Sequence, residues 1–310
     1  IQILNFNNYQ VTIKAIQAII GNDYKDYDIF VLDNGSSNDS YARLKKNISE
    51  KRLAKKVHLQ YSKNNLGFSG GHNFIYQWIN SKSSKKYQFH LILNSDAFIP
   101  KDFFLNVIKH YNHEKKHHPI YGFNIHDPKD MSVIQSWNQW LGFARKHKTL
   151  PESNSNKIWQ YYPSGAALLL DRNNVSDTNI FDDKLFFYGD EVDLCLKLKK
   201  YDLDFKIYDD IIITHSFGQS TFNSKKKRNL FNEFYYQRAK LMLMAKYYPN
   251  RILFVRLTLL VIIFWRCLQG YFSHIPLLLK LTFIPIRRLE KLKFLDEINE
   301  FVEGIQKKYE

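Results

Sequence analysis

The amino-acid sequence predicts an α/β fold, in which a mostly parallel sheet is flanked by helices and followed by a C-terminal helical extension. In the first half of the chain, short β-rich runs alternate with helical patterns, which is typical of parallel strands joined by helical crossovers. From Asn229 onward, helical patterns dominate. A chain of 310 residues is long enough for one large domain and an appendage. We expect these at residues 1–224 and 225–310.

The individual elements are predicted from the spacing of apolar residues and from turn-forming residues. Strands are expected at residues 1–6, 27–32, 57–61, 89–93, 164–170, 205–208 and 211–214, and helices at residues 11–20, 72–80 and 190–200. Ligands of open α/β sheets bind beyond the carboxyl ends of the strands. The polar loops at Asp33, Asn65 and Asp96 are therefore expected to line one crevice.

The composition excludes several classes of protein. Hydrophobic residues make up 45% of the chain, with 20 tyrosines and 24 phenylalanines, which is more apolar surface than a disordered chain carries. The two cysteines, Cys195 and Cys267, lie in apolar helical stretches, so neither a disulfide framework nor a cysteine metal cluster is expected. The printed sequence does not open on a charged segment followed by an apolar run. We therefore expect a reducing, cytoplasmic setting.

The C-terminal extension is basic and contains one strongly apolar helix. The formal net charge is +15, and residues 225–310 hold 17 lysines and arginines against 7 aspartates and glutamates. The apolar run at residues 252–265 is too short and too charged to span a bilayer comfortably. Arg251, Arg256 and Arg266 fall in one polar arc opposite a broad apolar face, which is the pattern of an interfacial helix. We expect peripheral contact with the inner face of the cell membrane. The alternative is packing on the first domain or on a second subunit of a homo-oligomer.

Six blocks in the first two-thirds of the chain are polar or rich in small residues. They read NFNN at residues 5–8, VLDNGS at 31–36, NLGFSGGHN at 65–73, LNSD at 93–96, SGAA at 164–167 and YGDEVDLC at 188–195. Their joint order and spacing resemble the signature blocks of family 2 glycosyltransferases, and most closely the rhamnosyltransferase-like branch. The resemblance implies the GT-A fold, a Rossmann-like α/β arrangement.

The resemblance also implies an activity: inverting transfer of a sugar from a nucleotide-diphosphate donor to a glycan or lipid-linked oligosaccharide. Deoxythymidine-diphosphate rhamnose is the first donor to consider, and a uridine-diphosphate hexose or galactofuranose is the second. Together with the basic extension, this points to bacterial surface polysaccharide synthesis.

A divalent cation, Mn²⁺ or Mg²⁺, is expected because the reaction must neutralise a diphosphate leaving group. The block at residues 94–96 stands where the family carries its Asp-x-Asp metal motif, so Asp96 resembles the main carboxylate ligand and Asn94 replaces the first acid. His215 follows an apolar strand and resembles the metal-binding histidine of the family. Oxygen ligands suit either ion, and a histidine ligand favours Mn²⁺. Taken alone, Asp96 could also form an Asx turn and His215 could be structural.

The nucleotide-sugar site implied by the resemblance draws on five of these blocks. Its candidates are Asn5, Phe6, Asp33, Asn65, Gly67, Gly70, Gly71, Asn94, Ser164 and Gly165. Asp33 would accept a hydrogen bond from the nucleobase, with the backbone near Asn5 and Phe6 flanking the base. The glycine-rich loop would approach the phosphates at a helix N-terminus, and Ser164 and Gly165 would lie against the donor sugar.

The candidate general base is the pair Asp190 and Glu191. Inversion by direct displacement needs one carboxylate to take the proton of the acceptor hydroxyl. The family usually shows Glu-Asp at this point and this chain has the reverse order, so by position Glu191 replaces the catalytic aspartate. Asp190 could serve instead, and both acids could merely cap the following helix.

Two other functions compete with a glycosyltransferase. A nucleic-acid-binding protein is suggested by the net charge and by the basic cluster at residues 225–228. It leaves the ordered acidic and glycine motifs unexplained, and no recognisable nucleic-acid-binding module is present. A catalytically degenerate, glycosyltransferase-like binding protein is suggested by Asn94 and by the reversed acid pair.

Overall fold

The structure is a computed structural model that describes residues 1–82, 85–135, 137–140, 145–148, 160–175, 179–216 and 230–292. The chain forms two compact units. The sheet unit contains Ile1–Leu141, Arg145–Asp183 and Asp190–Asn223, and the helical unit contains Gly142–Ala144, Lys184–Gly189 and Ser224–Glu310. The predicted domain boundary at residue 224 and the basic cluster at residues 225–228 lie outside the described residues.

The sheet unit alternates strands and helices through its first 113 residues. Its strands are β1 Gln2–Asn5, β2 Ile29–Asn34, β3 Val57–Ser62, β4 Phe89–Leu93, β5 Ala97–Phe98, β6 Ile120–His126, β7 Val133–Gln135, β8 Trp137–Trp140, β9 Arg145–Lys148, β10 Gln160–Tyr162, β11 Ala167–Asp171 and β12 Phe205–His215. Its helices are α1 Tyr9–Ile20, α2 Ser40–Glu50, α3 Gly67–Lys82, α4 Phe103–His113 and α5 Asp190–Lys200.

The predicted α/β fold is confirmed, and its main sheet is mixed rather than mostly parallel. The strand order is β3-β2-β1-β4-β11-β6-β12-β5, with β7 beside β6. Strands β3, β2, β1 and β4 run parallel, whereas β11 is antiparallel to both β4 and β6. Strands β10, β8 and β9 form a small antiparallel sheet. A buried apolar run carries no mark of its direction, so the sequence did not reveal that β11 is reversed.

The reversed strand β11 determines which loops meet. Because β11 is antiparallel to β4, the start of β11 lies beside the end of β4, with Ala167 opposite Leu93. The amide of Asn94 donates a hydrogen bond to the carbonyl of Ala166 at 2.9 Å. Two blocks that are separated by about 70 residues in the sequence are thereby adjacent.

Apolar side chains from both faces of the sheet form the core. Residues 29–32 of β2 are a continuous apolar run and all are buried, as expected of a strand covered on both faces. Helix α1 buries Ile13, Ile16 and Ile19 on one face, which is the helical period of three to four residues. This packing fixes the strand ends that carry the polar blocks.

Helix α5 and strand β12 illustrate where local patterns succeed and fail. Helix α5 begins at Asp190 and ends at Lys200, as predicted, with acids in its first turn and lysines in its last, an arrangement that the helix dipole favours. Strand β12 was predicted as two strands, because Asp209 and Asp210 interrupt its apolar run. It is one strand with a register shift between Tyr208 and Ile212, which accommodates the two acids.

The helical unit is formed by α6 Leu230–Tyr247, α7 Ile252–Leu268, α8 Ile275–Phe283 and α9 Ile286–Leu289, together with the segment Lys184–Gly189. Short 3₁₀ turns at Pro249–Arg251 and Phe272–His274 precede α7 and α8. Within the described part of the chain, every helix is too short or too polar to cross a membrane.

The arginine arc of α7 exists, but two of its three arginines face the inside of the helical unit. Arg266 is 5% exposed and donates to the carboxylate of Glu233 at 2.7 and 3.1 Å. Arg256 donates to the carbonyls of Thr282 and Ile284. Arg256 and Arg266 are therefore held by buried acceptors within the helical unit.

Candidate active site

The predicted metal ligands meet at the end of strand β12. Asp96 lies in the turn between β4 and β5, and His215 is the last residue of β12. Because β5 pairs with β12, with His215 opposite Ala97, the two side chains come together. His215 Nε2 lies 2.9 Å from Asp96 Oδ1, and the residues are 5% and 1% exposed.

The spacing of these two atoms fits a shared divalent cation. At ligand distances of about 2.1 Å and right angles, neighbouring ligand atoms of an octahedral ion lie about 3.0 Å apart, which agrees with the observed 2.9 Å. Within the described residues, no group of three or more histidine, cysteine, aspartate or glutamate side chains could hold a metal ion. Among the described residues, Asp96 and His215 are thus two candidate ligands whose donor atoms already lie at ligand spacing.

Asn94 lies between this pair and the block at residues 164–167. Its Nδ2 is 3.5 Å from His215 Nε2, and its amide is bonded to Ala166 as described above. Ser164 is buried, and its hydroxyl accepts a hydrogen bond from the Ala166 amide at 3.2 Å. Two of the predicted positions, Asn94 and Ser164, are therefore brought to one place by the β4–β11 pairing.

Glu191 lies against the same block. A Cβ atom added to Gly165 would be 3.2 Å from Glu191 Oε1, so the carboxylate of Glu191 is positioned directly over this glycine. Glu191 is partly exposed. The second residue of α5 thus presents a carboxylate beside the strand expected to contact a donor sugar.

Asp190 has a different environment from Glu191. It is 3% exposed, and the hydroxyl of Ser69 in α3 donates a hydrogen bond to its Oδ1. Burial, and then the charge of Glu191, raise the pKa of the Asp190 carboxyl to about 7. Asp190 therefore retains a proton to near-neutral pH and ties α5 to α3.

At pH values above about 4, Asp190→Asn should have a higher free energy of unfolding than the wild type. The difference should be largest at pH 7 and above. The folded protein keeps the Asp190 proton to about pH 7 while the unfolded chain loses it near 3.8, so stability falls as pH rises between these values. At 1.36 kcal/mol per pKa unit, the gain has a ceiling of roughly 4 kcal/mol. Urea unfolding at pH 5 and pH 8 measures it.

The matched control for this prediction is Asp23→Asn, which removes an exposed carboxylate of the same unit. It should change stability little at either pH. A gain for Asp190→Asn that is equal at pH 5 and pH 8 would show that Asp190 does not carry the raised pKa.

The end of β1 and the end of β2 form a second polar cluster. Asn5 and Asp33 are fully buried, and Asn5 Nδ2 donates to Asp33 Oδ2 at 2.7 Å. The amide and hydroxyl of Ser36 also donate to the Asp33 carboxylate, at 3.0 and 2.9 Å. Thr12 donates to Asn5 Oδ1 at 2.7 Å, and Phe6 is half-buried beside this cluster. Asp33 thus fixes the turn after β2.

The glycine-rich loop is fixed by Asn34, which the sequence did not single out. Asn34 Oδ1 accepts from the Leu66 amide at 2.9 Å, and its Nδ2 donates to the Gly67 carbonyl at 2.9 Å and to Asn65 Oδ1 at 3.2 Å. A Cβ at Gly71 would lie 2.8 Å from Leu4, so this glycine allows α3 to approach β1. By contrast, a Cβ at Gly70 would meet only Leu66 Cβ, at 3.2 Å.

Two contacts of α3 and β2 join predicted blocks to one another, and a third joins α3 to residue 181, outside the blocks. Ser69 bonds Asp190, Asn34 bonds the loop at residues 65–67, and Asn73 exchanges two hydrogen bonds with the backbone of Phe181, at 2.8 and 3.0 Å. Each residue lies inside or beside a block that was recognised. The one sequence signal for the roles of Asn34, Ser69 and Asn73 is that they are polar at positions where an apolar, core-facing residue would be expected.

The first 171 residues match the family model described as glycosyl transferase family 2. The chain belongs to glycosyl transferase family 2. The matched residues contain β1 to β4, the glycine-rich loop and strand β11, so five of the six blocks lie inside the match. The search of curated proteins found no match. The rhamnosyltransferase-like branch stays a prediction.

Solved structures share the fold of this family 2 chain at low identity. The mannosyltransferase PcManGT from Pyrobaculum calidifontis, in complex with GDP-Man and Mn²⁺, matches with a TM-score of 0.52 and 11% identity over 81% of the chain. S. aureus TarS 1-349 in complex with UDP-GlcNAc matches with a TM-score of 0.51 and 15% identity over 80% of the chain. GalNAc-T7 with UDP, GalNAc and Mn²⁺ matches with a TM-score of 0.56 and 11% identity over 78% of the chain. The matches cover 63%, 66% and 46% of those three chains.

Proposed function

We propose that this chain is an inverting, metal-dependent glycosyltransferase that moves a sugar from a nucleotide-diphosphate donor to a hydroxyl of a glycan or lipid-linked acceptor. The observation that carries the proposal is the convergence of two groups on one block. The Asp96–His215 pair and the Glu191 carboxylate both adjoin residues 164–166, through Asn94 and through Gly165. Proteins of this fold that were solved with nucleotides and Mn²⁺ support the same reading.

Asp96 and His215 would hold the divalent cation, either Mn²⁺ or Mg²⁺. When bound, the ion would offset the negative charge that develops on the departing diphosphate. Within the chain itself, Asp96 supplies a carboxylate oxygen and His215 an imidazole nitrogen, a mixed set that favours Mn²⁺. Asn94 adds a neutral amide beside them, so one acid of the usual motif is absent and the site carries one negative charge less.

Glu191 would act as the general base. Its carboxylate takes the proton of the acceptor hydroxyl while that oxygen bonds to the anomeric carbon. The bond from the anomeric carbon to the phosphate oxygen breaks, and its electron pair leaves with the nucleoside diphosphate. Attack from the face opposite the leaving group inverts the anomeric configuration, and one carboxylate suffices.

Asp190 suits a positioning role better than the role of base. Its side chain is buried and bonded to Ser69, and it retains its proton to near-neutral pH. A carboxyl that holds a proton cannot accept one from a hydroxyl. The neutral form also avoids placing two adjacent negative charges at the start of α5, which leaves Glu191 as the acid assigned the role of base.

The finer assignment is rhamnose transfer from deoxythymidine diphosphate, with a uridine-diphosphate hexose as the second donor, in bacterial surface polysaccharide synthesis. To test the proposal, the protein is incubated with dTDP-rhamnose, UDP-glucose and UDP-galactofuranose, and the release of nucleoside diphosphate is measured with Mn²⁺ and with a chelator. We expect Mn²⁺-dependent release from one donor. Tight binding of a donor without any release would favour the degenerate binding protein.

We further propose that the helical unit contacts the membrane through α7 and α8. The exposed residues of α7 occupy one apolar arc without charge: Leu253, Phe254, Leu257, Leu260, Val261, Phe264, Trp265 and Leu268, each 40–67% exposed. Phe272 and Phe283 extend the exposed apolar surface, at 66% and 68%. Exposed cations of the same unit, such as Arg251 and Arg287, suit anionic headgroups.

The double variant Leu253→Glu with Phe264→Glu should lose binding to vesicles of phosphatidylglycerol and phosphatidylcholine. Each large apolar side chain contributes about 1.5–3 kcal/mol when removed from water, so we expect affinity to fall at least tenfold in a co-sedimentation assay. The control Tyr201→Glu, at a 73% exposed residue of the sheet unit, should bind like the wild type. Unchanged binding of the double variant would contradict this contact. The membrane contact would also be contradicted if the wild type is a dimer that the double variant dissociates, because a second copy of the chain would then cover the apolar arc of α7.

A further inference from the structure

The segment Lys184–Gly189, which belongs to the helical unit, has an unusual backbone. Phe186, Tyr188 and Gly189 have φ angles of 66°, 68° and 81°, in the left-handed region. Bulky residues rarely adopt this conformation, and each instance costs of the order of 1–3 kcal/mol unless its surroundings enforce it. The next residues in the chain are Asp190 and Glu191. Strain is therefore concentrated immediately before the proposed base.

Arg238 of α6 is the group that holds this segment most directly. It is 2% exposed, and its guanidinium donates to the carbonyls of Leu185 and Lys184 at 3.0 and 2.9 Å. It also donates to the carbonyls of Leu289 and Glu290, at 2.8 and 2.9 Å. Only an arginine offers a planar set of donors that can bond four carbonyls from two directions.

Other side chains of α6 contact the rest of the segment. The ring of Phe186 stacks on Tyr235 with centroids 4.8 Å apart, and Tyr188 meets Tyr236 edge-on at 6.0 Å. A Cβ at Gly189 would lie 2.9 Å from a methyl group of Leu243, so the last residue of the segment packs closely against this side chain of α6. Phe187 meets Phe231 of the same helix, with centroids 5.8 Å apart. Each residue from 185 to 189 therefore contacts α6.

From these contacts, and resting on the proposed function, we propose that Arg238 is a positioning residue for the reaction. By fixing the carbonyls at residues 184 and 185, it enforces the strained path of residues 186–189 and thereby sets where the chain enters α5. The position of Glu191 relative to the acceptor hydroxyl depends on that entry point. The helical extension would then contribute to catalysis through the chain itself, in addition to any membrane contact.

The test compares Arg238→Lys with the wild type and with Lys184→Ala. Lysine keeps the charge but cannot span four carbonyls, whereas Lys184→Ala removes the 2.8 Å ion pair to Glu290 and keeps the Lys184 carbonyl. For Arg238→Lys we expect kcat for donor turnover, with dTDP-rhamnose or UDP-glucose as probe, to fall about 10- to 100-fold, the usual effect of a displacement near 1 Å. The donor KM and the nucleoside-diphosphate affinity should stay unchanged. Lys184→Ala should match the wild type.

Amide hydrogen exchange separates this proposal from the proposed function. In Arg238→Lys, exchange should rise at residues 185–191 and stay unchanged at residues 65–71. If the wild type releases no nucleoside diphosphate, the proposed function fails. If the wild type is active and Arg238→Lys keeps its kcat, the role of Arg238 alone is contradicted.

Should Arg238→Lys not fold, Phe186→Gly replaces it, since glycine accepts the left-handed φ and removes the stacking on Tyr235. The same fall in kcat is expected, and an unchanged kcat would overturn the proposal.

Discussion

Replacing Glu191 by glutamine should lower the turnover number by about 10²–10⁴-fold, the usual contribution of a positioned general base. The amide has almost the same shape as the carboxylate and cannot accept the hydroxyl proton. Because the substitution keeps the shape of the side chain over Gly165 and leaves Asp96 and His215 in place, nucleoside-diphosphate affinity should change less than threefold. Steady-state release of nucleoside diphosphate and a binding titration measure the two quantities.

Asp190→Asn is the matched control for Glu191→Gln, since it makes the same chemical change one residue earlier. We expect it to keep kcat within about tenfold, because its amide can still accept the Ser69 hydroxyl bond and the Asp190 carboxyl is already neutral below its raised pKa of about 7. Glu191→Asp, which restores the residue usual in the family at this position, should retain more activity than Glu191→Gln. If Asp190→Asn is the inactive variant, the roles of the two acids are reversed.

Asp96→Ala should abolish most of the metal-dependent affinity for nucleoside diphosphate. Altering groups that only orient a ligand costs about 10–100-fold in metal affinity, so loss of the proposed carboxylate ligand should cost at least about 100-fold. Mn²⁺ binding in the presence of nucleoside diphosphate, followed by electron paramagnetic resonance, measures the loss. Nucleotide affinity in a chelator should be equal for the variant and the wild type.

The chain offers a second aspartate–histidine pair as the control for Asp96→Ala. His110 Nε2 lies 2.7 Å from Asp210 Oδ2, and the side chains are 37% and 61% exposed. Asp210→Ala removes a carboxylate from a histidine in the same unit, but from a pair exposed at the surface. It should leave Mn²⁺ and nucleotide binding unchanged. Equal effects of Asp96→Ala and Asp210→Ala would contradict a specific metal site at Asp96.

Much of the fold could be predicted from the sequence because its signals are local. The apolar runs of β1, β2 and β4 and the amphipathic pattern of α1 identified their elements, and the charges at the two ends of α5 identified its limits. The direction of β11 could not be predicted, since a buried run of four apolar residues at 167–170 is compatible with either direction. The bulge in β12 was hidden for a similar reason, because two acids inside an apolar run also mark a turn.

The candidate site was predictable as a set of residues and much less so as a set of contacts. Asp96 and His215 were paired through the family resemblance, and their 2.9 Å separation depends on the β5–β12 pairing. The bond between Ser69 and Asp190 joins residues 121 positions apart, and no local pattern marks it. The arginines at 251, 256 and 266 were recognised as one arc, but the inward direction of Arg266 depends on the buried Glu233.

The most direct test of the central claim is a calorimetric titration of the wild-type protein with UDP, dTDP and GDP, each with Mn²⁺ and with a chelator. The account predicts that one nucleoside diphosphate binds, and that its affinity falls sharply when the metal is removed. The identity of that nucleotide would then name the base of the donor. Absence of binding by all three nucleotides with Mn²⁺ present would contradict a nucleotide-sugar site in this chain.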